Sequence, residues 1–325
     1  MKPVIKVVVF ITAACGLFVL CMSAGSIFIS PLRIPEILSG GPGPVEYRIL
    51  VDLRLPRILM ALVVGASLSV SGVLFQAVLK NPLADPYTTG VSGGAAVGAT
   101  VAIAFSMSYF LVALLAFGGS LFAVFFVYAV SRYRGLSGTA LVLAGIALSV
   151  LLSSAVLLVF AFSRAEYVHK ALLWLMGDLS IAKYGMVMRM AVVSMLLVGL
   201  SFLYRQHLNV ISFGDEFAHG LGVSRGDIIN LFWIASLLAA ISVSLAGIIG
   251  FVGLLVPHVM RYIFGPDHNR LIPASAIGGA VFLMAADTLG RMLVPPYDIP
   301  AGIVTGFAGG LFFLVLVIRK GGAYQ

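Results

Sequence analysis

LRLPRILMALVVGASLSVSGVLFQAVLKNPLADPYTTGVSGGAAVGA (Leu53–Ala99) contains 22 consecutive uncharged residues, Ile58 to Leu79, held between Arg57 and Lys80. As a helix rising about 1.5 Å per residue, that run matches the roughly 30 Å hydrocarbon core of a bilayer. Its apolar residues are continuous rather than alternating, the pattern of a spanning helix and not of a barrel strand. Asn81 to Pro86 (NPLADP) then stops it, because two prolines forbid further helix and fix a tight bend.

The rest of the chain repeats this pattern. Of 325 residues, 61% are hydrophobic and 10% charged, against about 25% charged in soluble domains. Apolar runs read against breakers predict an all-α, polytopic membrane protein, a single transmembrane domain over 1–325. Its ten spans fall near 5–30, 48–80, 88–107, 109–131, 139–162, 187–205, 229–248, 250–265, 272–291 and 301–319. Spans seven and eight merge in hydropathy around Gly247–Gly250, and span eight is short and contains Pro257. The first apolar stretch, Val7 to Ile29, outruns the roughly 7–15 residues of a signal peptide's apolar region, so it reads as a retained span. With Lys2 and Lys6 inside, ten spans place both termini in the cytoplasm. Eleven of the twenty basic residues then lie inside, a small bias, because Arg48, Arg54 and Arg57 cluster at the outer entrance of span two.

An internal echo organises the spans. SLSVSGVLFQAVLKNP (Ser67–Pro82) aligns without a gap on SVSLAGIIGFVGLLVP (Ser242–Pro257), 175 residues later, and GGAAVGA at Gly93 has a counterpart at Gly278. Spans two to five and seven to ten then form a repeat. Five spans separate their starts, so the halves are inverted, as in proteins that build a pathway at a repeat interface. Shared packing of small residues is the other source of such an echo.

Several chemistries are excluded. No lysine follows a glycine, so no phosphate-binding G-x-x-x-x-G-K is present. No nucleophile or metalloprotease motif occurs, and no histidine pair has metal-ligand spacing, so the chain reads as neither an enzyme nor a metal binder. Cys15 and Cys21, six apart on a helix, point to different faces and do not pair with each other. The net charge of +8 fits anionic lipid or acidic partners; nothing indicates nucleic acid. Asp287 is the clearest acid within a span, with Arg291 four residues on. That spacing reads as an ion pair rather than a proton relay, since no second buried acid continues a path. Energy for transport must then come from a partner.

At this point four blocks become specific. Leu53–Ala99, FGDEFAHGLGV (Phe213–Val223), Ser244–Leu293 and IPAGIVTGFAGGLFFLVLVIRK (Ile299–Lys320) occur in the order seen in the permeases of binding-protein-dependent importers for iron–siderophore complexes, haem and cobalamin. The chain resembles that family from about residue 45 to 320. The resemblance implies a ten-helix permease in a prokaryotic inner membrane, working as a homodimer with spans five and ten along the pathway. It implies two cytoplasmic ABC ATPase subunits, which bind the ATP and magnesium, and a periplasmic or lipid-anchored substrate-binding protein. Arg54, Arg57 and Arg291 match arginines that dock that protein. Asn81 and Leu83, with Gly138 and Thr139, match the cytoplasmic gate, although a hydroxyl residue is expected where Gly138 stands. The outer segment Ser163–Gly185 reads as a short interfacial helix with Trp174 at headgroup level.

The polar island within 206–228 resembles the loop that meets the ATPase, with Gly214, Asp215, Glu216, Phe217, Ala218, His219, Gly220, Leu221, Gly222 and Val223 as contact residues. Asp215 and Glu216 suit the positive end of a short helix, and Ser224 can cap the next one. An ion-coupled secondary transporter remains the alternative on the residues alone, because an inverted repeat serves it equally well.

Overall fold

The computed structural model of the chain describes residues 3–39, 43–133, 138–212 and 214–321, the side chains of 3, 4, 44, 215–217, 317 and 319–321 excepted. It contains ten apolar helices that we number by span: α1 (Pro3–Ser23), α2 (Leu55–Val78), α3 (Val91–Ala104), α4 (Tyr109–Tyr133), α5 (Gly138–Phe162), α6 (Tyr184–Leu203), α7 (Arg225–Ala246), α8 (Val252–Phe264), α9 (His268–Leu293) and α10 (Ala301–Gly321). All ten sit where hydropathy places them. Seven are long enough to cross a bilayer alone; α3, α8 and α10 carry shorter apolar stretches.

The buried centre is α2, α7 and α9, whereas α1, α5 and α10 lie outside it. The inverted repeat is visible in the packing. Exchanging α2, α3, α4 and α5 for α7, α8, α9 and α10 maps the α2–α9 contact onto α7–α4, α3–α4 onto α8–α9, and α2–α8 onto α7–α3. Residue register does not follow the ungapped echo, however. Pro82 lies in the loop after α2, while Pro257 lies inside α8. The structural counterparts are the left-handed residues that start the two short helices, Gly90 (φ 81°) and Phe251 (φ 67°).

Close approach explains the glycines at the centre. A Cβ on Gly65 of α2 would collide with the backbone carbonyl of Gly279 on α9, and one on Gly279 with the carbonyl of Gly65. Only residues without side chains let these backbones touch. Polar side chains fasten the same core. Ser71 Oγ donates to Ala235 O of α7 at 2.7 Å. Pro257 has no N–H to offer Gly253 O, and that carbonyl lies 3.4 Å from Gln76 Nε2 of α2.

The joint between α7 and α8, unreadable from hydropathy, is set by the backbone. Gly247 ends α7 at φ 70°, beside the carbonyl of Trp174 where a Cβ would collide. Trp174 therefore corrects the expectation of a headgroup anchor: it is buried, at the end of the outer helix Ala165–Leu175.

Candidate functional site

Two ends of the helix bundle carry the polar chemistry. At one end, α2 is preceded by a π-helical turn, Arg48–Arg54, that joins it to Pro44–Tyr47. This wide turn and the first turn of α2 aim Arg54 and Arg57 inward, toward α1 and α9. The structure brings Arg54, Arg57 and Arg291 together, and it buries all three at 5–6% exposure. Arg57 Nε donates to Asp287 Oδ1 at 2.8 Å, and its Nη1 donates to Asp298 Oδ2 at 2.6 Å. Arg291 Nε lies 3.3 Å from Asp287 Oδ2, an ion pair without hydrogen-bond alignment, while its Nη2 donates to Thr288 Oγ1 at 2.9 Å.

Arg54 has a different task. Its guanidinium donates to Met22 O at 2.9 Å, to Ser23 O at 3.0 Å and to Ile27 O. These include the orphan carbonyls at the C-terminus of α1, where the helix dipole favours a cation. Arg291 adds Ala24 O at 3.3 Å. In the single chain the three arginines are thus turned inward rather than displayed. Their charge is spent on α1, Asp287 and Asp298, and the member that reaches the surface is an acid, Asp298, 44% exposed. The ion pair expected within α9 is present, but its stronger arm comes from Arg57, 230 residues away.

At the opposite end, the NPLADP bend is held by side chains bonded to its backbone. Asn81 Oδ1 accepts from Leu83 N at 2.9 Å, and Asp85 Oδ1 accepts from Tyr87 N at 2.8 Å to start the short 3-10 turn Pro86–Thr89. Burial lifts the Asp85 carboxyl to about 6. Asn81 and Leu83 are exposed, and Gly138, the first residue of α5, lies against the carbonyl of Leu79, where a Cβ would sit 3.0 Å away. Gly138 thus packs against the end of α2, two residues before Asn81, with Thr139 exposed beside it.

The polar island forms the helix Asp215–Gly220, ending in a turn at Gly222 (φ 87°). Phe213 and the side chains of Asp215, Glu216 and Phe217 lie outside the described residues. Ala218 and Val223 are buried, His219 Nδ1 lies 3.0 Å from Val223 O, and Leu221 stands 59% exposed at the tip. Ser224 and Asp227 form a complete capping box at the start of α7.

Sequence reasoning missed what holds this island. A further helix, Arg205–Ile211, precedes it, with Leu208 and Ile211 fully buried. Asn209 Nδ2 donates to Asp267 Oδ1 at 2.9 Å and Asn209 Oδ1 accepts from His268 N at 2.8 Å; Arg205 Nε donates to Asn269 Oδ1 at 2.9 Å. The island is thereby clamped to the start of α9, the helix that carries Asp287 and Arg291 at its other end. Asp267 as an N-cap was the one available signal.

Comparison with known proteins agrees with this architecture. Residues 11–319 match the family model of the FecCD transport family. The chain is 35% identical to the haemin transport system permease HmuU of Yersinia pestis, over 94% of this chain and 93% of that one. It is 43% identical to the cobalamin import system permease BtuC of Halobacterium salinarum, over 82% and 72%. A solved structure described as an inward-facing conformation of a metal-chelate type ABC transporter superposes with a TM-score of 0.85 at 29% identity, covering 98% of both chains.

Proposed function

The chain belongs to the FecCD transport family, and from that premise we propose that it is the permease subunit of an ATP-driven importer that moves an iron chelate, haem or cobalamin across the inner membrane of a prokaryote. The observation that carries this reading is the clamped cytoplasmic island. It presents a helix and an exposed leucine on a base tied by hydrogen bonds to α9, which is what a soluble motor needs to push on. Two cytoplasmic ATPase subunits bind the ATP and magnesium and supply the energy. A second copy of the chain covers the lipid-like faces of α5 and α10, where Leu143, Ile146, Val150, Phe307 and Leu311 are exposed, and the pathway lies between the copies.

On the outer side, a substrate-binding protein docks on the face organised by Arg54, Arg57 and Arg291. An incoming carboxylate competes with Asp298 for Arg57, and Asp298 sits in the loop that leads into α10. Docking is thereby coupled to a helix of the pathway by exchange of one ion pair for another. ATP closure in the partner moves the island, and the rigid helices exchange outer for inner opening around Asn81, Leu83, Gly138 and Thr139. Ion-coupled transport loses its candidate relay, because Asp287 is held between two guanidiniums.

Reconstituted permease should co-purify with an ATPase, and uptake should stop when that ATPase loses its phosphate-binding lysine. Uptake that persists without ATP, driven by a proton gradient alone, sinks this reading.

A further inference from the structure

A lateral groove of about 1040 Å³ opens at the outer end between α4, α6 and α7. Its walls are apolar, with Phe110, Leu114, Phe117 and Val193 among them, and Phe110 is 72% exposed, so the groove opens sideways toward lipid. Two cations line it, Lys183 at its rim and Arg189 within α6. Arg189 stands five residues into that spanning helix, about 7.5 Å along its axis. Neither side chain has a hydrogen bond or ion pair among the described residues. A charge at this depth is costly unless something neutralises it, and an intramembrane cation is kept for a ligand or a partner. We propose that this groove binds an anionic phospholipid of the outer leaflet, its phosphate held by Arg189 and Lys183 and an acyl chain laid along α4 and α6.

The chemistry favours this occupant. A phosphate gives Arg189 a bidentate acceptor and leaves the apolar walls for the tail. A free anion would satisfy only the cations and a neutral apolar segment only the walls, and the exposed, sideways-facing mouth at Phe110 opens to lipid. No residue lining the groove belongs to the outer ion network or to the island, so the inference is independent of which chelate is carried.

The test uses the full-length permease purified in mild detergent, offered equal amounts of palmitoyl-oleoyl phosphatidylglycerol and phosphatidylcholine, with retained lipid read by native mass spectrometry. The wild type should prefer phosphatidylglycerol by about thirtyfold, roughly fivefold for each cation. Lys183→Gln with Arg189→Gln should bring that ratio close to one. Gly185→Leu is a second, independent variant: a Cβ at this groove-lining position meets nothing within 4 Å, so the added side chain enters the groove without disturbing the fold. It should reduce retention of both lipids while both cations remain. Equal retention of the two lipids by the wild type overturns the proposal. So does a preference that survives the double substitution, undiminished retention in Gly185→Leu, or displacement of the lipid by glycerophosphate alone, which marks a free-anion site.

Discussion

Asp287→Asn removes the anion from between two guanidiniums and tests what the outer network does. Asp287 Oδ1 accepts from Arg57 Nε at 2.8 Å and Oδ2 lies 3.3 Å from Arg291 Nε, and none of the three side chains exceeds 8% exposure. Removing one side of such a buried pair costs about 3–5 kcal/mol, mostly the penalty of the charge left behind. Asparagine keeps the volume and one acceptor for Arg57. Arg57 also keeps Asp298 at 2.6 Å. Arg291 is left with neutral partners, Thr288 and the carbonyls of Cys21 and Ala24. The expected loss therefore sits at the lower edge, about 3 kcal/mol. Arg291→Met is the contrast. It leaves Asp287 paired to Arg57 and removes the 3.3 Å contact to Asp287, the Thr288 bond and two weak bonds to the end of α1; removing the buried guanidinium's own desolvation cost offsets part of this, for a loss of about 1–2 kcal/mol. Unfolding of the purified permease in a graded denaturing detergent, followed by fluorescence, ranks the two variants, and uptake is measured in proteoliposomes. A stable Asp287→Asn protein that fails to transport would show that the carboxylate acts in transport itself. Arg291→Met costing more than Asp287→Asn would equally refute the network assigned here.

Three further outcomes follow from other parts of the molecule. Asp85, lifted to about 6 by burial, is ionised at neutral pH at a cost to the fold. That cost is present above the folded value and fades as pH falls toward the ordinary aspartate range near 4. Asp85→Asn keeps the acceptor for Tyr87 N, so thermal unfolding should show stabilisation of up to about 3 kcal/mol near pH 7.5 and almost none near pH 4; equal effects at both pH values contradict the assignment. Gly65→Ala places a methyl group against the Gly279 carbonyl and should cost about 1–3 kcal/mol or more in the same unfolding assay, with an unchanged midpoint counting against the α2–α9 contact. Leu221→Asp, at the exposed tip of the island, should release the ATPase in pull-down while leaving binding-protein capture and thermal stability intact; full complex assembly in that variant removes Leu221 from the motor contact.

The spans were legible because bilayer solvation acts residue by residue. A run such as Ile58–Leu79 declares its length and its environment without reference to any neighbour. The island was legible for the converse reason, as three acids and four glycines within Ile211–Asp227 have no place in hydrocarbon. Ser224 even gave the cap of α7, and the structure adds Asp227 to complete a capping box that closes within four residues. The span-level repeat could be read too, yet its ungapped register could not. Helix ends depend on backbone contacts such as Gly247 against Trp174, which leave no mark on hydropathy.

What the sequence alone determined is thus the membrane class, the ten helices, the inverted halves and the position of the polar island. Only the tertiary structure decided which charges face which. Arg57 meets Asp287 and Asp298, Arg54 caps α1, Asn209 clamps the island to α9, and Trp174 goes inside rather than to the lipid surface. Hydrophobic length is a local sum, but the environment of a charge is fixed by whatever packs beside it. For Arg57 those neighbours come from the opposite half of the chain.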